Sequence, residues 1–135
     1  MTAPAPCFVG LMSGTSGDGV DGVLARFSGA GLPEVLAHVH RPFDPSLRQE
    51  LLALNRSGPD ELHRAARAAI GVSTAYAAVV RALLQQADVS ASTVCALGAH
   101  GQTVRHQPSP QPAEPKTACR QRKAGESAHA ARAGS

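Results

Sequence analysis

Beyond His106 this chain contains no Leu, Ile, Val, Phe, Met, Tyr or Trp. The 29 residues that follow cannot bury enough apolar surface to offset the entropy of ordering. Four prolines at their head (Pro108, Pro110, Pro112, Pro115) oppose both helix and sheet. Any core must therefore form within residues 1–106, and residues 107–135 are expected to be a disordered Pro/Ala/Arg-rich tail. Charge divides at the same place. The chain carries 13 Lys+Arg against 10 Asp+Glu, a net charge of +3. Residues 1–106 hold eight basic and eight acidic side chains, whereas 107–135 hold five basic and two acidic. No aromatic residue is interleaved in that basic stretch to stack on bases, so it reads as a solvated tail, and nucleic acid is not an expected partner.

With aromatic residues at 3% and no Trp, the core must be built from Ala, Leu and Val. No run approaches 18 consecutive apolar residues, which argues against a membrane span. Met1 to Pro6 has no Lys or Arg before its short apolar run, which argues against a secretory signal. The three cysteines (Cys7, Cys95, Cys119) are odd in number and form no C-x-x-C pair, which disfavours a zinc knuckle or a disulfide scaffold. The expected compartment is the cytoplasm.

Local patterning gives an element order. Pro6 to Met12 is a short apolar run of strand length that ends at Ser13-Gly14. Val20 to Phe27 reads as a second strand, with Val23, Ala25 and Phe27 on one face. After a turn at Ser28 to Gly31, Glu34 to His40 alternates Val35, Ala37 and Val39 against Leu36, His38 and His40, a third strand. Asp44 can cap a helix that Pro45 begins, with Leu47, Leu51 and Leu54 on one side. Pro59-Asp60-Glu61 opens a longer helix reaching about Ala87. Its apolar stripe is read as Leu62, Ala66, Ala69, Ile70, Tyr76, Val79, Val80, Leu83 and Leu84, interrupted by Gly71 at a cost of roughly 1 kcal/mol. Thr93 to His100 is a strand that follows a helix and can pair in parallel with an earlier one. The order β-β-β-α-α-β predicts an α/β domain with a mixed sheet: a β-meander followed by helices.

The densest signal is Gly10 to Gly22, which holds five glycines. Gly14 and Gly19 have P-loop spacing, but Val20 stands where the lysine is required. Gly17, Gly19 and Gly22 match G-x-G-x-x-G, but that fingerprint must open a helix and here a strand follows. An EF-hand loop lacks its closing Glu. What remains is a strand–turn–strand loop whose amides, with the Thr15 and Ser16 hydroxyls, can address an anion. Asp18 or Asp21 can hold a Mg²⁺ through water. On these grounds alone a plain hairpin turn and a phosphate site are equally good readings.

Leu11-Met-Ser-Gly-Thr-Ser-Gly-Asp-Gly-Val-Asp21 resembles the opening signature of the anhydro-N-acetylmuramic acid kinases. Gly98-Ala-His-Gly-Gln-Thr-Val-Arg-His106 resembles a second signature of that family, and Pro59 to Ala66 matches its layout between them. The resemblance covers roughly residues 7–108. It implies a partial first lobe, residues 1–106, of the sugar-kinase/Hsp70/actin (ribonuclease H-like) fold. It also implies ATP and Mg²⁺ as cofactors and 1,6-anhydro-N-acetylmuramic acid as substrate. The product would be N-acetylmuramate 6-phosphate, formed with hydrolytic ring opening in peptidoglycan recycling. By that resemblance Gly14, Thr15, Ser16, Gly17, Asp18, Gly19, Val20 and Asp21 bind ATP phosphates, while His100, Gln102, Thr103 and Arg105 lie on the sugar side. Arg105 would suit the lactyl carboxylate. Small molecules are then the expected partners, with no membrane, and the resemblance allows homodimers among full-length relatives.

Two departures are visible. Gly17 stands where the family usually has Leu, so a leucine there is expected to tighten nucleotide binding. Relatives also continue far beyond His106, through the part that carries the general-base aspartate and the adenosine pocket. The chain is accordingly expected to be an inactive truncation, its tail read through in a shifted frame. The alternative is a non-catalytic α/β fragment that binds nucleotide weakly, or only a protein partner.

Overall fold

Cys7, Val9 and Leu11 alternate with Phe8, Gly10 and Met12, and only the first set is buried. That period of two makes Cys7–Met12 (β1) a strand with one core face. The computed structural model describes residues 5–29 and 31–105. The expected tail, 107–135, lies outside the described residues. β1 pairs antiparallel with Gly19–Arg26 (β2), which pairs antiparallel with Glu34–Pro42 (β3). Two helices follow, Pro45–Ala53 (α1) and Glu61–Ala87 (α2), and then Val94–Ala99 (β4) joins β1 in parallel. The sheet order is β3-β2-β1-β4. The α/β class, the meander and the mixed sheet all stand as expected.

One face of the sheet meets α2, which packs chiefly on β2 and β3. Val9, Leu11, Val20 and Leu24 from the sheet share a core with Leu51 and Leu54 from the α1 region and with Ala68, Val72, Val79 and Leu83 from α2. Burial of each such aliphatic side chain is worth about 1.5–3 kcal/mol. Sheet and helix approach closely at Gly22, where a Cβ would collide with Val79 and Leu83. The helices also approach closely at Gly71, where a Cβ would lie 2.9 Å from Leu47 Cδ1. The glycine that interrupts the apolar stripe therefore sets the α1–α2 approach.

Capping follows chemistry at one helix and not at the other. The Asp44 carboxylate accepts from the Ser46 amide at 3.0 Å, with Pro45 in the first turn, as expected. Asp60 makes no capping bond; it takes φ 50°, a left-handed conformation that Asp tolerates. At the other end of α2 Asp88 is also left-handed, and the Val89 amide donates to the Leu84 carbonyl at 3.0 Å, closing the helix.

Three face assignments differ from the sequence reading. In β2 the fully enclosed residues are Val20 and Leu24, on the face opposite Val23 and Phe27; Ala25 is buried as well, and Phe27 packs edge-on against Phe8. β3 carries a bulge: Leu24 pairs with Ala37 but Ala25 pairs with Val35, so Leu36 is the extra residue. Leu36 packs against the core while Val35 turns outward, which breaks the strict alternation expected of β3. In α2, Leu62 and Ile70 are 88% and 69% exposed, and Ala66 and Ala69 are exposed too. The core stripe instead runs through Ala65, Ala68, Val72, Ala75, Tyr76, Val79 and Leu83. By length and composition α2 is long and apolar enough to cross a membrane. Here its buried side chains pack on the sheet and α1.

The corrected stripe has a direct test by urea denaturation. Leu83→Ala is expected to cost about 2–5 kcal/mol, because the side chain is fully enclosed. Leu62→Ala is expected to change stability by no more than about 0.5 kcal/mol, since Leu62 faces solvent. The original stripe requires comparable losses at both positions.

Candidate phosphate-binding site

β1 ends at Met12 and the chain turns through Ser13 to Asp18 before β2 begins. The Gly17 amide donates to the Gly14 carbonyl at 3.1 Å, closing a four-residue turn with Thr15 and Ser16 at its centre. Gly17 has φ 59°, in the left-handed region. Thr15, Ser16 and Asp18 are exposed, while Ser13 and Gly17 are buried. Among the described residues the amides of Thr15 and Ser16 meet no acceptor. The turn thus offers solvent two free amides beside the Thr15 hydroxyl, a set suited to an anion.

The acidic groups divide. Ser16 Oγ donates to Asp18 Oδ1 at 2.8 Å. That bond holds the Asp18 carboxyl below its ordinary range, helped by its own amide, by nearby His40 and by the Gly19 amide, against a smaller effect of desolvation. The Asp18 carbonyl also accepts from the Phe43 amide at 3.0 Å, which fastens the end of the turn to the β3–α1 junction.

Asp21 is not part of the turn. It lies in β2 on the face away from α2, where one carboxylate oxygen is 3.1 Å from His40 Nδ1 and 3.5 Å from His38 Nε2. Gly19 and Val20 are strand residues as well. Gly19 lies too close to the Arg41 carbonyl to admit a side chain, and Val20 is buried in the core. Of the expected phosphate set, Gly14 to Asp18 form the turn and Gly19 to Asp21 form the strand leaving it. Among the described residues no group of three or more His, Cys, Asp or Glu is placed to hold a metal. A Mg²⁺ at Asp18 would take its other ligands from water and phosphate, as that ion commonly does.

The second signature arrives beside the first because β4 runs parallel to β1. Leu11 pairs with Ala99, and the His100 amide donates to the Leu11 carbonyl at 3.0 Å. Gly101, at φ 81°, then turns the chain. Gln102 faces inward: its Oε1 accepts from Ser13 Oγ, and its Nε2 donates to the Gly14 carbonyl at 3.1 Å and the Thr103 carbonyl at 2.9 Å. Arg105 pairs with Glu61 at the start of α2 and lies 3.4 Å from Ser57 Oγ. Two of the four residues placed on the sugar side are therefore committed to the protein itself. His100 remains exposed, its Nδ1 3.2 Å from the Gly101 carbonyl.

Two participants were not anticipated. Ser13 is a fully buried polar residue at the turn's root. The Tyr76 hydroxyl of α2 is buried with no hydrogen-bond partner within ordinary limits, although Ser13 and Gly101 face it. Burial pushes its pKa up, and those two neighbours pull against the shift. A tyrosine inside an apolar helix stripe is the available signal, since its hydroxyl must end somewhere.

A model of the family described as anhydro-N-acetylmuramic acid kinase matches residues 6–118. The chain is 57% identical over 108 residues to an anhydro-N-acetylmuramic acid kinase of Bordetella petrii, covering 80% of this chain and 29% of that protein. It is 61% identical over 101 residues to one of Albidiferax ferrireducens, covering 75% and 26%. With one of Variovorax paradoxus it shares 57% over 102 residues, covering 76% and 27%. The chain belongs to the anhydro-N-acetylmuramic acid kinase family. It spans between a quarter and a third of the length of these curated relatives.

The geometry reverses the expectation for position 17. Open space lies beside Gly17, but its φ of 59° is one that side-chain-bearing residues rarely adopt. Gly17→Leu is expected to lower stability by about 1–2 kcal/mol in urea denaturation, and to weaken rather than tighten nucleotide binding. A stabilised variant would mean that the turn is shaped otherwise. Ser16→Ala is expected to raise the Asp18 titration midpoint, read by carboxyl ¹³C NMR. The folded value of Asp18 lies below the unfolded one. Its carboxylate therefore favours the folded state above the unfolded value and loses that contribution as pH falls through the folded one.

Proposed function

We propose that this chain supplies the phosphate-holding part of an ATP-dependent kinase acting on 1,6-anhydro-N-acetylmuramic acid. The observation that carries the reading is the Gly14–Gly17 turn, with Thr15 and Ser16 exposed and their amides free, inside a stretch 57% identical to a relative so named. In the proposed reaction water adds at the anhydro carbon, the bond from that carbon to O6 breaks, and the γ-phosphoryl group passes from ATP to O6. The products are N-acetylmuramate 6-phosphate and ADP. Thr15 and Ser16 would bind the terminal phosphates through amides and the Thr15 hydroxyl. Asp18, kept ionised by Ser16, would hold a magnesium ion through its water, and the ion would supply charge neutralisation at those phosphates. The β-meander with two helices and a parallel fourth strand supports a lobe of the sugar-kinase/Hsp70/actin type. His100 and Thr103 are the residues of the second signature left to face the sugar.

This 135-residue chain is proposed to bind nucleotide without turning it over. Phosphoryl transfer depends on positioning and on exclusion of water by opposing walls, and the described residues leave the turn open to solvent. Calorimetry of the chain with MgATP is expected to give weak, saturable binding. Incubation with MgATP and 1,6-anhydro-N-acetylmuramic acid is expected to give no N-acetylmuramate 6-phosphate, while the Bordetella petrii relative gives it under the same conditions. Absence of any nucleotide binding would overturn the assignment of the turn. Product from the chain alone would overturn the claim that it is inert.

A further inference from the structure

We infer that Gln102 is a positioning residue for the Gly14–Gly17 turn, holding it in shape from a loop 88 residues further along the chain. A primary amide has two N–H donors and one carbonyl acceptor. Both Gln102 donors are used, one on the Gly14 carbonyl and one on the Thr103 carbonyl, and its Oε1 accepts from Ser13 Oγ. The opposite orientation of the amide would set its oxygen against two carbonyl oxygens, so the chemistry of the surroundings fixes the assignment. The Gly14 carbonyl receives two donors, the Gly17 amide that closes the turn and Gln102 Nε2. Ser13 is fully buried, and the buried Tyr76 hydroxyl faces both Ser13 and Gly101, so the junction has a floor as well as a tie. Removing the Gln102 donors leaves Gly14 anchored from within the turn alone. The consequence for nucleotide rests on the phosphate reading of the turn; the tie itself does not.

Amide hydrogen exchange by NMR on the whole chain, beside a MgATP titration, separates the two. Gln102→Glu keeps size but turns an acceptor toward both carbonyls. It is expected to speed exchange of the Gly17 amide by about tenfold while the Val79 amide in the core is unchanged. The dissociation constant for MgATP should rise by about tenfold as well. Ser13→Ala removes one leg of the tie and is expected to act in the same direction by roughly threefold, which keeps the test alive if Gln102→Glu does not fold. Unchanged exchange at Gly17, or equal acceleration at Gly17 and Val79, overturns the inference, the second because it marks a purely structural residue. Unchanged MgATP affinity with a loosened turn bears out the tie and overturns its consequence for nucleotide. If the unaltered chain binds no MgATP, the phosphate reading fails and Gly17 exchange alone decides the tie.

Discussion

The parallel pairing of β1 with β4 is the constraint on which the rest of the site depends. Two segments nearly ninety residues apart end at the same edge of the sheet only because Leu11 faces Ala99 and the ladder runs on through His100. A parallel pair needs a long crossover, and α2 with its flanking turns supplies it. The ladder sets Ser13 and Gln102 side by side, and the buried hydroxyl and the inward amide satisfy one another there. Either group without the other would be a buried polar group at a cost of about 1–3 kcal/mol. The two signatures therefore act as one local structure, and the turn that faces solvent rests on it.

Packing and openness are distributed unevenly about that junction. α2 covers the inner face of the sheet and touches it closely at Gly22, immediately beyond the turn and Asp21. The outer face carries Asp21, His38 and His40 with little cover. Of the two carboxylates in the first signature, Asp18 is thus tied to the turn by Ser16 and Asp21 to β3 by histidines. They share a motif without sharing a task, because Asp18 lies in the turn and Asp21 in the strand that leaves it. Asp18 stays beside the turn, and Asp21 belongs to the open face.

Element order, the helix start at Asp44-Pro45 and the existence of a polar turn at Gly14 to Asp18 were legible in the sequence because each rests on local chemistry. Asp and Pro suit the first turn of a helix whatever surrounds them, and glycines close to hydroxyls make a turn in most settings. The faces of β3 and α2 were not legible. A single bulge at Leu36 exchanges the facings of Val35 and Leu36 while Ala37 and Val39 keep the core side, and no residue there announces it. In α2 large residues such as Leu62 and Ile70 drew the stripe toward themselves, while the true contact uses Ala65, Ala68 and Gly71 because α1 lies close against them. Small residues at a close approach carry little weight in a hydropathy pattern.

The contacts of the second signature were not legible either, for a different reason. The family resemblance puts Gln102 and Arg105 on the sugar side, where an amide and a guanidinium group suit hydroxyls and carboxylates. The same donors serve a protein's own carbonyls and carboxylates equally well, and only the position of Ser13, Gly14 and Glu61 in space decides between the uses. Gly17 makes the converse case. Its lack of a side chain read as a lost anchor, yet the left-handed backbone that closes the turn is what a glycine allows and a leucine resists. A motif fixes which atoms are on hand; the ladder that gathers them determines which still face solvent.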